Sequence, residues 1–198
     1  MTKHNVTVQI MAGGRSTRMG RDKATVELGG KTLLRRALDT WQDFGAAVQL
    51  SVGPDERMAL APEGVRPVAD IYPERGPMGG LHAGLLACDT DLLLLVAVDS
   101  PYVTRELAEA LVEVAERTGA DACVYTVDGR PQPLFGLYRK SCLPAVCALL
   151  EGGEQKMGLL LRTVQTEFLL GAGKECCFVN LNTPEELARA ENGADVFS

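Results

Sequence analysis

Hydrophobic positions along the chain switch repeatedly between two patterns. Residues 6–11 form a short run with the length of a buried strand, and residues 31–44 then carry Leu33, Leu34, Ala37, Leu38 and Trp41 at helical spacing. Residues 48–52 read as a second strand and 65–69 as a third, weaker one. A glycine-rich loop at 76–80 opens a small-residue helix at 81–88. Residues 92–98 are wholly apolar between acids, as expected of a central parallel strand covered on both faces. An amphipathic helix follows at 105–117, with Thr104 as N-cap and Gly119 beyond its end. Residues 122–127 and 133–138 predict two further strands, 141–150 a helix, and 164–170 and 178–181 short strands. Thr183-Pro184-Glu185-Glu186 has the cap, the proline and the glutamate of a helix start.

Strand–helix alternation of this kind predicts a three-layer αβα, Rossmann-like domain around a mainly parallel sheet. The 198 residues suit a single domain with room for a sizeable core. Ligands of such sheets bind beyond the carboxyl ends of the strands. The loop after residue 11, the glycine-rich loop at 76–80 and Asp99-Ser100-Pro101 could therefore meet in one crevice.

Composition narrows the function. Hydrophobic residues make up 46% and charged residues 23%, ordinary for a soluble protein. No run is long enough to span a bilayer, and no signal-peptide core follows the first residues, so a cytoplasmic protein without a membrane partner is expected. Six cysteines are scattered without a CxxC pair, and His4 and His82 are the only histidines, which argues against a zinc site and for buried free thiols. His4 reads as part of a disordered terminus and His82 as a helix-start residue. A net charge of −6 excludes a general nucleic-acid binder. Against that background Arg15, Arg18, Arg21, Lys23 and Lys31 crowd into one loop region, which suits a small anion better than a long polyanion.

Two short matches in this region mislead. Gly29-Gly30-Lys31-Thr32 resembles the end of a P-loop, but Thr25 stands where that motif needs glycine, so a tight turn before a helix is expected. Gly13-Gly14 is followed by Arg-Ser-Thr-Arg, which breaks the dinucleotide fingerprint. What remains is a strand followed by A-G-G-x-S-x-R-M-G-x-D-K-A, Ala12 to Ala24. Gly13 and Gly14 let backbone approach a ligand and offer N–H groups, while Arg18 and Lys23 can neutralise phosphate oxygens. Asp99, ending the apolar strand before Ser100-Pro101, is either a turn aspartate or a carboxylate for a hard cation. Beside the phosphate loop, the cation ligand is the better reading.

This stretch resembles the signature of nucleotidyltransferases that move a nucleoside monophosphate from an NTP, specifically the molybdenum cofactor guanylyltransferases of the MobA type. The resemblance extends through Asp70 to Ala87 (DIYPERGPMGGLHAGLLA), Val96 to Val103 (VAVDSPYV), Gln132 to Tyr138 (QPLFGLY) and Phe178 to Leu187 (FVNLNTPEEL). It implies transfer of GMP from GTP to molybdenum-bearing molybdopterin with release of pyrophosphate, assisted by Mg2+. It also implies that Met11, Ala12, Gly13, Gly14, Arg18, Lys23, Asp70 and Asp99 contact the nucleotide. Arg18, Lys23 and Asp99 would be the catalytic set, Asp99 the magnesium ligand, and Asn180 and Asn182 would face the pterin. Residues of about 1–104 would bind nucleotide and about 105–198 the acceptor. Met11 stands where leucine is commoner in the family, a change that preserves volume. The attacking group would be a phosphate oxygen already ionised at neutral pH, so no general base is required. Transient contact with molybdoenzymes or their chaperones is compatible with this reading. Alternatives are a molybdopterin cytidylyltransferase, a sugar-phosphate nucleotidyltransferase or a non-catalytic GTP-binding regulator. Ala12-Gly13-Gly14, where cytidylyl relatives tend to show Ala-Ala-Gly, favours GTP by resemblance.

Overall fold

The computed structural model describes residues 4–13, 22–53 and 55–191. Its centre is a seven-stranded sheet built from β1 (His4–Met11), β4 (Gly45–Gly53), β5 (Arg66–Ala69), β6 (Leu92–Ala97), β7 (Ala122–Val127), β8 (Arg130–Arg139) and β9 (Thr166–Leu170), in the order β5-β4-β1-β6-β8-β7-β9. Every pairing is parallel except the two made by β8, which runs against β6 and β7. The expected mainly parallel αβα architecture is thus present, with one reversed strand. The reversal comes from a tight hairpin: Asp128 and Gly129 both have positive φ, 49° and 73°, joining β7 to β8 within two residues. Such a turn matches the twist of antiparallel partners and allows no crossover.

Side chains from β6 show why its sequence has no polar face. Leu92, Leu94 and Val96 pack on one side of the sheet with residues of α3 (Arg105–Thr118), while Leu93 and Leu95 pack on the other with α2 (Gly76–Ala87), α4 (Leu143–Glu151) and α5 (Met157–Thr163). Helix α1 (Leu33–Trp41) covers Ile10, Leu50 and Val52 on the first face through Leu33, Leu34 and Leu38. Strands buried on both faces require this near-continuous apolar run.

Several boundaries depart from the sequence pattern, each for a local reason. Residues 31–32 are not helical; they form β3 (Lys31–Thr32), paired with β2 (Glu27–Leu28) across Gly29 and Gly30. Both glycines have positive φ, 59° and 75°, so the tight turn expected there is a two-residue hairpin that glycine fits without strain. Thr32 then caps α1, its side chain accepting from Arg35 N at 3.1 Å. The glycine-rich segment 76–80 is not a loop but the first turns of α2, because its small residues let the helix lie directly on the sheet. There Gln9 Nε2 donates to Gly80 O (2.8 Å) and Gln49 Nε2 to Gly84 O (3.0 Å), with Gln49 also bonded to Gln9 Oε1 (2.7 Å).

Helix α5 escapes the sequence reading, although Met157, Leu160 and Leu161 stand at helical spacing and are buried. Residues 178–181 are not a strand. They leave a 3-10 turn, Glu175–Phe178, and cross the end of β6 instead of running beside another strand. The start of α6 (Pro184–Glu191) is as read: Glu186 N donates to Thr183 Oγ1 (3.2 Å), and Glu186 Oε2 accepts from Thr183 N (3.0 Å) and Asn182 N (2.6 Å). Among the described residues no helix is long and apolar enough to cross a membrane. Cys88, Cys123 and Cys142 are buried thiols, the last pushed up to about 12 by burial, whereas Cys176 is exposed. His4 is ordered at the start of β1, its ring 4.8 Å from that of Phe44. His82 lies well inside α2, not at its start.

Candidate active site at the carboxyl ends of the parallel strands

Because β1, β4, β5 and β6 are parallel, their carboxyl ends lie at one edge of the sheet. Their order makes β1 the centre: the chain moves outward through β4 to β5, then returns to β6 on the other side of β1. A crevice opens at such a reversal. Backbone bonds tie the strand ends together there: Ala12 N donates to Ser51 O (2.9 Å), Asp70 N to Gly53 O (2.8 Å), Val98 N to Met11 O (3.1 Å) and Leu181 N to Asp99 O (2.9 Å).

Gly13 emerges from β1 against the end of β4. A Cβ on Gly13 would meet Gly53 N at 2.7 Å, so the close approach itself demands glycine. Gly14, Arg15, Arg18 and Arg21 lie outside the described residues. The chain is described again at Asp22, which caps a 3-10 turn, Lys23–Thr25. This turn aims Lys23 across the strand ends, where its Nζ donates to Asp99 Oδ2 and, at 2.6 Å, to Asn182 Oδ1. Both members of the ion pair are mostly covered, with 21% and 15% of their side chains exposed.

Asp99 is therefore a mostly covered carboxylate with a lysine counter-ion. Next to it, Ser100 Oγ and Asn180 Oδ1 are 2.6 Å apart, the hydroxyl donating. Asn180 and Asn182 both reach the site beyond β6, from an irregular segment and not from a strand. They flank Leu181, which is completely buried under α1, and that anchor turns the asparagine on either side toward β6. Lys23, Asp99 and Asn182, separated by up to 159 positions, become one hydrogen-bonded unit.

Around the first turns of α2, beside the same strand ends, polar atoms lack partners in the protein. Ser51 Oγ at the end of β4, Asp70 Oδ1 after β5 and His82 Nδ1 on α2 are buried and unpaired. Burial raises Asp70 from 3.8 to about 6. The same cause lowers His82, which meets Tyr72 edge-on at 5.0 Å. Met11 and Ala12, which lead into Gly13, are buried. Orphaned polar groups at a crevice are groups a ligand can satisfy. Sequence reading missed Ser51, whose only signal is a hydroxyl interrupting an apolar strand. It also missed Arg57, which bonds Asp22 and had no signal at all.

Among the described residues no group of three or more His, Cys, Asp and Glu side chains could hold a metal ion. Magnesium carried on phosphates needs no such group, since it takes one or two carboxylates and keeps water for its other positions. Asp99 supplies one such carboxylate at the strand ends.

A mainly parallel sheet with Gly13, Lys23 and Asp99 at its reversal point is an arrangement able to receive a nucleotide's phosphates. Residues 8–167 match the MobA-like NTP transferase domain, and the chain belongs to that family. It is 38% identical over 184 residues to the molybdenum cofactor guanylyltransferase of Vibrio atlanticus (strain LGP32), covering 91% of this chain and 92% of that one. The probable molybdenum cofactor guanylyltransferase of Pelotomaculum thermopropionicum is 34% identical over 187 residues, covering 91% and 89%. The crystal structure of molybdopterin-guanine dinucleotide biosynthesis protein A from Archaeoglobus fulgidus superposes with a TM-score of 0.82 at 27% identity, covering 94% and 97%. The fold alone is shared with 2-C-methyl-D-erythritol 4-phosphate cytidylyltransferase from Thermus thermophilus, at TM-score 0.69 and 19% identity over 94% and 97% of the two chains.

Proposed function

We propose that this enzyme transfers GMP from GTP to molybdopterin, releasing pyrophosphate, and that the whole chain works as one domain in the cytoplasm. The observation that carries the reading is the Lys23–Asp99–Asn182 unit at the reversal point of the sheet. In the reaction an acceptor phosphate oxygen attacks the α-phosphorus of GTP. A new P–O bond forms while the bond to the β-phosphate bridging oxygen breaks, and pyrophosphate leaves with the electron pair. Two anions must meet, so neutralisation and positioning carry the catalysis.

Gly13, with Gly14, would offer backbone N–H groups to the triphosphate, and Met11 and Ala12 beside them would contact the nucleotide. Lys23 and Arg18 would hold its oxygens. Lys23 already holds Asp99, so the nucleotide would share or displace that partner. Asp99 would hold Mg2+, which would supply charge neutralisation on the phosphates. Asp70 would accept from the nucleotide on the β5 side. Asn180 and Asn182, together with the half from about residue 105 onward, would face the pterin. Support for GTP and molybdopterin comes from the relatives' names and from the Ala12-Gly13-Gly14 sequence.

The test is a panel of GTP, CTP, ATP and UTP with Mg2+ and purified molybdopterin, following pyrophosphate release and product mass. A guanine dinucleotide product is expected. Turnover with CTP alone would move the enzyme to the cytidylyl class, and tight GTP binding without turnover would make it a regulator.

A further inference from the structure

We propose that Arg57 is a positioning residue of the nucleotide site, holding the Lys23 turn in place through the carboxylate of Asp22. The inference rests on the reading of Lys23 as a triphosphate ligand. Arg57 stands on the 3-10 stretch Asp55–Leu60 that follows β4. Its Nη2 donates to Asp22 Oδ2, and its Nη1 donates to Val52 O at 3.2 Å. One guanidinium thus bridges the last residues of β4 and the residue directly before Lys23. Both side chains are mostly covered, 20% and 30% exposed.

The carboxylate is fully committed. While Oδ2 takes Arg57, Oδ1 accepts from Ala24 N at 3.0 Å and so shapes the turn, and Asp22 O accepts from Thr25 N at 3.0 Å. Gly13 rests on Gly53 and Asp22 rests on Arg57 and, through it, on Val52. The two described ends of the phosphate loop are therefore both fastened to the end of β4. A forked, permanently charged donor suits this task, because two separate nitrogens of one planar group reach two acceptors in fixed geometry, whereas lysine has a single nitrogen to share between them. The pairing also has an electrostatic consequence. Asp22 is covalently next to Lys23, and without Arg57 its charge would stand uncompensated beside an incoming triphosphate.

The test uses the full chain with Arg57→Met, Arg57→Lys, Asp22→Asn and the double variant Arg57→Met/Asp22→Asn. GTP affinity is measured with Mg2+ and without acceptor by calorimetry, followed by KM and kcat for pyrophosphate release. Amide hydrogen exchange at Ala24 is measured without any ligand. Arg57→Met should weaken GTP by about tenfold, the scale of coupling between bonded residues, with a smaller effect on the acceptor KM. Arg57→Lys should recover part of the loss. The double variant should bind better than Arg57→Met alone, since it removes the uncompensated carboxylate while asparagine can still cap the turn. Loss of a merely structural side chain would not be rescued by that second change.

Wild-type GTP affinity in Arg57→Met, or unchanged exchange at Ala24, overturns the proposal. So does simple additivity of the two single losses, which would put Arg57 on the nucleotide itself. If Arg57→Met does not fold, Asp22→Ala decides, since it removes both the cap of the turn and the partner of Arg57: slow exchange at Ala24 with intact GTP affinity would overturn the proposal. If the wild-type protein binds no GTP while exchange at Ala24 still quickens in Arg57→Met, the GTP reading fails and the role of Arg57 in holding the turn stands.

Discussion

Replacing Asp70 by asparagine removes a charge that the fold holds at a cost. The carboxyl sits after β5 with Oδ1 unpaired, and burial lifts it from 3.8 to about 6. At full burial that gap would correspond to about 3 kcal/mol. Asp70 is only partly covered, so solvent screening brings the contribution to about 1–2 kcal/mol. The sign follows from proton binding. Between pH 3.8 and about 6 the folded protein binds more protons at this site than the unfolded chain, so the native state is favoured at the acid end and loses that advantage as pH rises through 6. Asparagine cannot ionise and loses nothing. The stability of Asp70→Asn relative to wild type should therefore rise by about 1–2 kcal/mol from pH 4 to pH 8, or about 2–8 °C in Tm for a chain of this size. Thermal unfolding of both proteins, without ligand, across that pH range measures it. A gap that stays flat with pH would show that Asp70 is not desolvated in the folded protein. GTP affinity should fall in the same variant, the usual exchange of stability for function at a binding site.

Further outcomes rest on other parts of the site. Asp99→Asn should lower turnover by about 10²- to 10³-fold, with excess Mg2+ recovering only part, and should also lower Tm slightly because it takes the counter-ion from Lys23; near-normal pyrophosphate release would move the metal site to Asp70. Asn182→Ala removes one of the two partners of Lys23, so GTP affinity without acceptor should fall a few-fold; an effect confined to the acceptor KM would assign Asn182 to the pterin alone. Gly84→Ala drives a methyl into the Gln9 amide and should cost about 1–3 kcal/mol through overpacking, read as a lower Tm with a raised KM for GTP as α2 shifts; unchanged values of both would show that α2 is free to move off the sheet.

The αβα order was legible in the chain because the signals are local. Strands such as β6 declare themselves by being apolar throughout, and Thr104, Gly29-Gly30 and Thr183 with Glu186 mark helix and turn boundaries through bonds made within a few residues. Gly13 and Lys23 stood out for the same reason, since backbone access and positive charge are carried by nearby positions. Strand partners were not. The reversal of β8 depends on a two-residue turn whose tightness excludes a crossover, and 178–181 looked like a strand but crosses a strand end, because Leu181 finds its apolar site beneath α1.

What only the tertiary structure decided is which polar groups neutralise each other. Lys23 joins Asp99 and Asn182, Arg57 joins Asp22, and Ser51, Asp70 and His82 are left with unpaired atoms. Sequence specifies where a charge stands along the chain. Whether that charge is compensated, shared or stranded depends on desolvation and on partners up to 159 positions away, and these meet only once the parallel strands bring their ends to one edge.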